Sequence, residues 1–166
     1  MDKSSASTNL SLNVREEIDR WRVKFPEGRQ RSAVIAALHL VQHENHGYLT
    51  SDLMEAVAGY LDLPAIQVFE VGAFYSMFET KPVGRHSISV CTNISCMLRG
   101  GEQILGHIER KLGIEAGEST PDGKFYLKCE EECLAACVGA PMMMVDHKFH
   151  ERVTPARINE ILDSVD

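Results

Sequence analysis

The sequence has no apolar run approaching the roughly 20 residues that a membrane-crossing helix needs. Its N-terminus, MDKSSASTNLSLN, is polar and serine-rich and lacks the apolar stretch of a signal peptide. These two absences lead to the expectation of a cytoplasmic chain whose residues 1–12 form a flexible tail. Basic charge is also scarce: 17 Lys and Arg face 24 Asp and Glu, a net charge of −7. A chain of that sign repels phosphate backbones, which argues against nucleic acid as a partner. Three motifs are missing as well. There is no G-K-[ST] phosphate loop, no H-E-x-x-H and no tight C-x2-C knuckle of the kind favoured by zinc sites.

What is present divides at about residue 80. The 166 residues suit one compact unit or two small ones, large enough to fold without disulfides. The first half has helical periodicity. Asn13 and Glu16 form a capping box ahead of Val14, Ile18, Trp21 and Phe25, and Pro26 with Gly28 stops that helix. A second helix spans about 31–45 with Val34, Leu38 and Val41 inward, and Gly47 ends it. Thr50 or Ser51 caps a third, and Pro64 opens a fourth that carries Ile66, Val68, Val71, Tyr75 and Phe78. After Lys81-Pro82-Val83-Gly84 the period changes. Residues 86–91 alternate as a strand, Gly100-Gly101 leads into a helix, and 125–127 and 142–145 are further strand candidates. Thr154 and Pro155 open a last helix. The order β-α-β-β-α predicts a small α/β layer after an all-helical half, an α+β chain with a helical domain at 13–80 and a second domain at 81–166.

Five cysteines in a reducing compartment point to metal or redox chemistry rather than disulfides. Cys91 ends a strand, and Cys96 follows after four intervening residues. Cys129, Cys133 and Cys137 fall at equal spacings of three intervening residues. An iron–sulfur cluster needs four thiolates, and two separated loop pairs would wrap it from two sides. Ala135, Ala136, Gly139 and Ala140 would let backbone N–H groups approach the sulfurs. Spacing alone leaves open a structural zinc site or ordinary core cysteines, and it does not choose two ligands from Cys129, Cys133 and Cys137.

At these residues the chain resembles a known family, the thioredoxin-like [2Fe–2S] subunit of NADH:quinone oxidoreductase (respiratory complex I). The stretches that carry the resemblance are SAVIAALHLVQHENHGYL from Ser32, EVGAFYSMF from Glu70, KPVGRH from Lys81, VCTNISCMLRG from Val90, LGIEAGESTPDGKF from Leu112 and ECLAACVGAP from Glu132. The resemblance implies an N-terminal helical bundle followed by a thioredoxin-like α/β [2Fe–2S] ferredoxin domain. It implies that the ligands are Cys91, Cys96, Cys133 and Cys137, with Cys129 left out, because the family's second pair lies in an E-C-L-x-x-C segment. It implies one [2Fe–2S] cluster on this chain, with FMN and NADH on a partner subunit. Further iron–sulfur subunits would complete a complex to which this chain is peripheral at the inner membrane. The same module serves soluble NAD-linked formate dehydrogenases and hydrogenases, and a zinc-stabilised assembly protein is the reading from another class. The family often has Gly where this chain has Ala135, and Thr where it has Ala73.

Other residues are less specific. His39, His43 and His46 share one side of the second helix, yet without H-E-x-x-H they suit a surface or interface role. Met142, Met143 and Met144 are consecutive on a strand and so do not share a face, which favours packing. Gly100-Gly101 lacks the residues that would complete a phosphate loop. Tyr48, Phe74 and Tyr75 suggest a docking surface on the helical half. Glu130, Glu131 and Glu132 form a charge run next to Cys133, expected to be a solvated face. Replacing all three by Gln should therefore leave the cluster's midpoint potential unchanged in a redox titration. A rise in potential would instead make the run a tuning element, since nearby negative charge disfavours an added electron.

Overall fold

Ser11, rather than Asn13, opens the first helix: its hydroxyl accepts the Val14 N–H at 3.2 Å, and α1 runs Leu12–Arg22. The expected capping box is thereby corrected, because Asn13 lies inside the first turn while Ser11 has the extended backbone a cap requires. The computed structural model describes residues 10–129 and 133–166, so residues 1–9 of the expected tail lie outside it. Leu10 is buried, and the tail boundary at residue 12 is corrected to that extent.

The chain divides into two compact units, Met1–Pro82 and Val83–Asp166. In the first, α1 is followed by a 3-10 turn at Gln30–Ala33, then α2 (Val34–Glu44), α3 (Ser51–Tyr60) and α4 (Ala65–Phe74). Thr50 caps α3 by accepting the Leu53 N–H. Pro64 stands just before α4 at its cap position. Ile18, Leu38, Val57 and Val68 are fully buried in a shared apolar cluster. Trp21 is not inward: α1 ends at Arg22, and the ring stays 38% exposed with the Lys24 ammonium 3.5 Å from its centroid. Phe25 lies beyond the helix and packs on the cluster's edge.

The second unit is built on a four-stranded sheet in the order β2-β1-β3-β4, with β1 at His86–Val90, β2 at Phe125–Leu127, β3 at Met143–Val145 and β4 at Lys148–His150. β1 and β2 are parallel. The chain crosses between them through α5 (Ile94–Met97), a single turn, and α6 (Gly101–Leu112). β1–β3 and β3–β4 are antiparallel. With α7 (Pro155–Asp163), α6 contributes Ile104, Ile108, Ile158 and Ile161 to a core that also buries Ile88, Leu127 and Met143. Lys111 and Asp163 join the two helices at 2.7 Å.

β4 is the strand that sequence periodicity missed. Its three residues, Lys148-Phe149-His150, show no apolar alternation, and Phe149 is 55% exposed. The turn before it is also disguised, because Asp146 and His147 have φ of 47° and 67° where Asn-Gly would be usual. Side-chain contacts hold that turn: Asp146 accepts the Ser87 N–H at 3.0 Å and meets His86 Nδ1 at 2.6 Å. The other ring nitrogen of His86 reaches the Asp166 carbonyl at 2.9 Å.

At Gly84, a Cβ would lie 2.3 Å from the Phe125 carbonyl carbon and 2.8 Å from the Tyr126 nitrogen. Both neighbours are backbone of β2 and have little room to yield. Gly84→Ala is therefore expected to destabilise the second unit by about 1–3 kcal/mol. Leu38→Ala should cost the first unit about 2–5 kcal/mol through the cavity it leaves. Chemical denaturation followed by amide exchange in each unit would measure both, and unchanged midpoints would contradict this packing.

Candidate metal centre

Cys91 follows β1 directly, and its N–H donates to the Met142 carbonyl at 3.3 Å. That bond extends the β1–β3 ladder one step beyond the Val90–Met143 pair. It brings the loop after β1 against the segment that leads from the second cysteine pair into β3. Cys96 sits in α5, between β1 and α6. Both thiols are buried, at 3% and 2% exposure, in a small cluster with Ala140 and Met142. Cys133 and Cys137 are exposed, and their sulfurs lie 3.9 Å apart.

The thiols influence one another in a closed circuit. Cys91 interacts with Cys96 and with Cys133, Cys96 also feels Cys137, and Cys133 meets Cys137. Burial pushes the Cys91 thiol up, but the N–H groups of Leu134 and Asn93, with the Cys96 and Cys133 thiols, outweigh it and bring its pKa below the ordinary value. Burial raises Cys96, and the neighbouring Cys91 raises it further against a lowering contribution from the Met142 N–H. Cys96 lies within hydrogen-bonding reach of Cys91. The Ala135 N–H donates to Cys133 Sγ at 3.4 Å. Ala135 holds φ at 56° to do so, a left-handed conformation that Gly adopts without steric cost.

The donor set suits an iron–sulfur cluster. The four thiols are soft donors, and backbone N–H groups are directed at three of the sulfurs. Among the described residues no three His, Cys, Asp or Glu side chains close on one point as a single metal ion would require.

Cys129 is exposed, and its Cβ lies near Gly117, where an added Cβ would stand 3.1 Å away. No contact among the described residues joins it to the other four thiols. The Glu130–Glu132 run lies outside the described residues. Of the small residues, Ala136 and Ala140 pack beside the buried thiols, while Gly139 makes room for the Glu151 side chain.

Periodicity and spacing did not reveal the packing role of Gly101. An added Cβ there would stand 2.8 Å from the Cys91 carbonyl and 3.0 Å from Cys96 backbone. The N-terminus of α6 therefore presses on the first cysteine loop, and the Gly100-Gly101 pair was the available signal. The three histidines belong to the first unit. His39 and His43 line an apolar groove of about 540 Å³ in the first unit, and the His39 ring packs on Phe78 at 4.9 Å. Met142 and Met143 are buried, and Met144 is partly exposed. Phe74 is 80% exposed, edge-on to Tyr75, whereas Tyr48 is half-buried.

Residues 18–166 match the family described as thioredoxin-like [2Fe–2S] ferredoxin. The chain is 42% identical over 153 residues to a subunit of the NADH-quinone oxidoreductase of Rhizobium meliloti (strain 1021), covering 92% of this chain and 89% of that one. It is 41% identical over 155 residues to a subunit of the NADH-quinone oxidoreductase of Rickettsia conorii (strain ATCC VR-613 / Malish 7), covering 93% and 90%. Among solved structures it is similar, with a TM-score of 0.68, to a chain of an NAD+-reducing [NiFe]-hydrogenase in the air-oxidised state. The sequence identity there is 21%, over 84% of this chain and 24% of that one, so the likeness is one of fold. The mixed α/β fold, the paired cysteine loops and the match over nearly the whole length agree, and the chain belongs to the thioredoxin-like [2Fe–2S] ferredoxin family.

Proposed function

We propose that Cys91, Cys96, Cys133 and Cys137 hold one [2Fe–2S] cluster, and that the chain is the electron-transfer subunit of an NADH:quinone oxidoreductase. The observation that carries this reading is the closed circuit of four thiols, two buried and two exposed, with Cys129 outside it. When bound, such a cluster stores and releases one electron. The chain's own residues bind it and set its surroundings. Cys91 and Cys96 anchor it from the interior, and Cys133 with Cys137 closes it from the solvent side. The N–H groups of Asn93, Leu134, Ala135 and Met142 offset the negative charge on the sulfurs.

On this reading the chain turns over no substrate itself. Hydride chemistry, with FMN and NADH, belongs to an adjoining subunit, and further iron–sulfur subunits complete the complex. Residues 13–80 form a helical bundle domain and 81–166 the thioredoxin-like domain that carries the thiols. Exposed Phe74 supports a docking role for the helical domain. No helix among the described residues is long and apolar enough to cross a membrane, in keeping with a position peripheral to the inner membrane. The fold likeness to a chain of an NAD+-reducing hydrogenase favours a second reading, the equivalent subunit of a soluble NAD-linked hydrogenase or formate dehydrogenase.

The purified protein is expected to absorb in the visible range and to give an EPR signal on one-electron reduction. Substituting Cys91, Cys96, Cys133 or Cys137 by Ala should abolish both, whereas Cys129→Ala should retain full iron content. Loss of the cluster in Cys129→Ala, or a colourless wild-type protein that holds zinc, would refute the ligand set. Affinity purification from native membranes separates the two complexes. Membrane subunits should accompany the tagged chain, and their absence beside a co-purifying hydrogenase or formate dehydrogenase would favour the second reading.

A further inference from the structure

Among the described residues β4 is an edge strand, paired on one side only. Its two-residue turn makes Val145 and Lys148 the closing hydrogen-bonded pair of the hairpin, and Met143 with His150 is the next such pair. Phe149, between them, turns its backbone N–H and C=O to the free edge, and its side chain is 55% exposed. Lys148 and His150 sit opposite Val145 and Met143, so they share the sheet face covered by α7. There they line a cleft of about 430 Å³ with Arg157, Glu160 and Ile161.

The charge of this cleft runs against that of the chain. The protein carries a net −7, yet Lys148, His150 and Arg157 converge here, and burial together with those two cations lowers the His150 pKa. Arg157 is met by Glu160 at 2.8 Å, whereas Lys148 has no carboxylate partner among the described residues. A second copy of the chain is a poor occupant. Antiparallel pairing about Phe149 would set Lys148 opposite His150 of the copy, so Lys148 would meet no carboxylate there. An acidic strand would meet attraction at the same positions.

We propose that the free edge of β4 and the cleft behind it take up an extended segment of a partner protein in which acidic and apolar side chains alternate. The Phe149 N–H and C=O supply the main-chain bonds. Carboxylates on one face of the segment meet Lys148 and Arg157, and apolar side chains on the other face cover Phe149. The proposal does not depend on the cluster.

The test uses the full chain, isotope-labelled, with a short peptide alternating Val and Glu and its Val–Lys counterpart. The Val–Glu peptide is expected to bind and to slow hydrogen exchange of the Phe149 amide. Lys148→Glu combined with Arg157→Glu should weaken binding about tenfold or more. Phe149→Pro, which removes the outward N–H and leaves the β3 ladder intact, should abolish it, while Phe149→Ala, which keeps that N–H, should retain part of it. Equal binding of the Val–Lys peptide would overturn the proposal. So would unchanged Phe149 exchange at millimolar Val–Glu peptide, or sedimentation showing that the edge pairs with a second copy.

Discussion

The Cys91 N–H bond to the Met142 carbonyl is the contact on which the site depends. It continues the antiparallel β1–β3 ladder past its last strand pair, so the geometry of the sheet extends into the loops. Cys91 hangs from one side of that extension, and the segment bearing Cys133 and Cys137 arrives on the other. Two pairs of thiols separated by 36 or more residues therefore face each other without a disulfide or a long rigid loop to hold them. The parallel β1–β2 pairing and the α6 crossover keep β1 central, and the N-terminus of α6 closes on the first loop at Gly101 with no room for a side chain.

Exposure divides the four thiols by role. The buried pair sits among Ala140 and Met142, where desolvation alone would keep both protonated, and backbone N–H groups are what favour the thiolate of Cys91. The outer pair lies in a loop whose conformation is costly at Ala135. Ligand binding would offset that cost, since a bound metal group stabilises only the state in which its ligands are assembled. The centre thus couples the local fold of the second unit to its cofactor.

Much of the architecture was legible because apolar periodicity and caps are local signals. Leu38, Val41, Ile88 and Ile158 are buried where 3.6- and 2-residue periods put them, and Thr154 caps α7 by accepting the Arg157 N–H. The differences have identifiable physical causes. Ser11 displaced Asn13 as a cap because both suit the position and only backbone conformation distinguishes them. Trp21 fitted the apolar period of α1, but its ring lies on the exposed edge under Lys24. β4 has neither alternation nor a Gly-containing turn, and contacts from His86 and Ser87, some sixty residues away in sequence, stabilise the turn instead.

By itself the sequence determined the chemistry available: five cysteines, their spacing, their small neighbours and the helix and strand periods around them. It left Cys129 as a rival ligand, because spacing along a chain does not say which way a side chain faces. Only the tertiary structure sets Cys133 beside Cys91 and Cys137 within electrostatic reach of Cys96, with Cys129 beside Gly117. The physical reason is that sheet register is non-local. The β1–β3 pairing sets which loop positions converge, and residues on either side of that point are carried away from it.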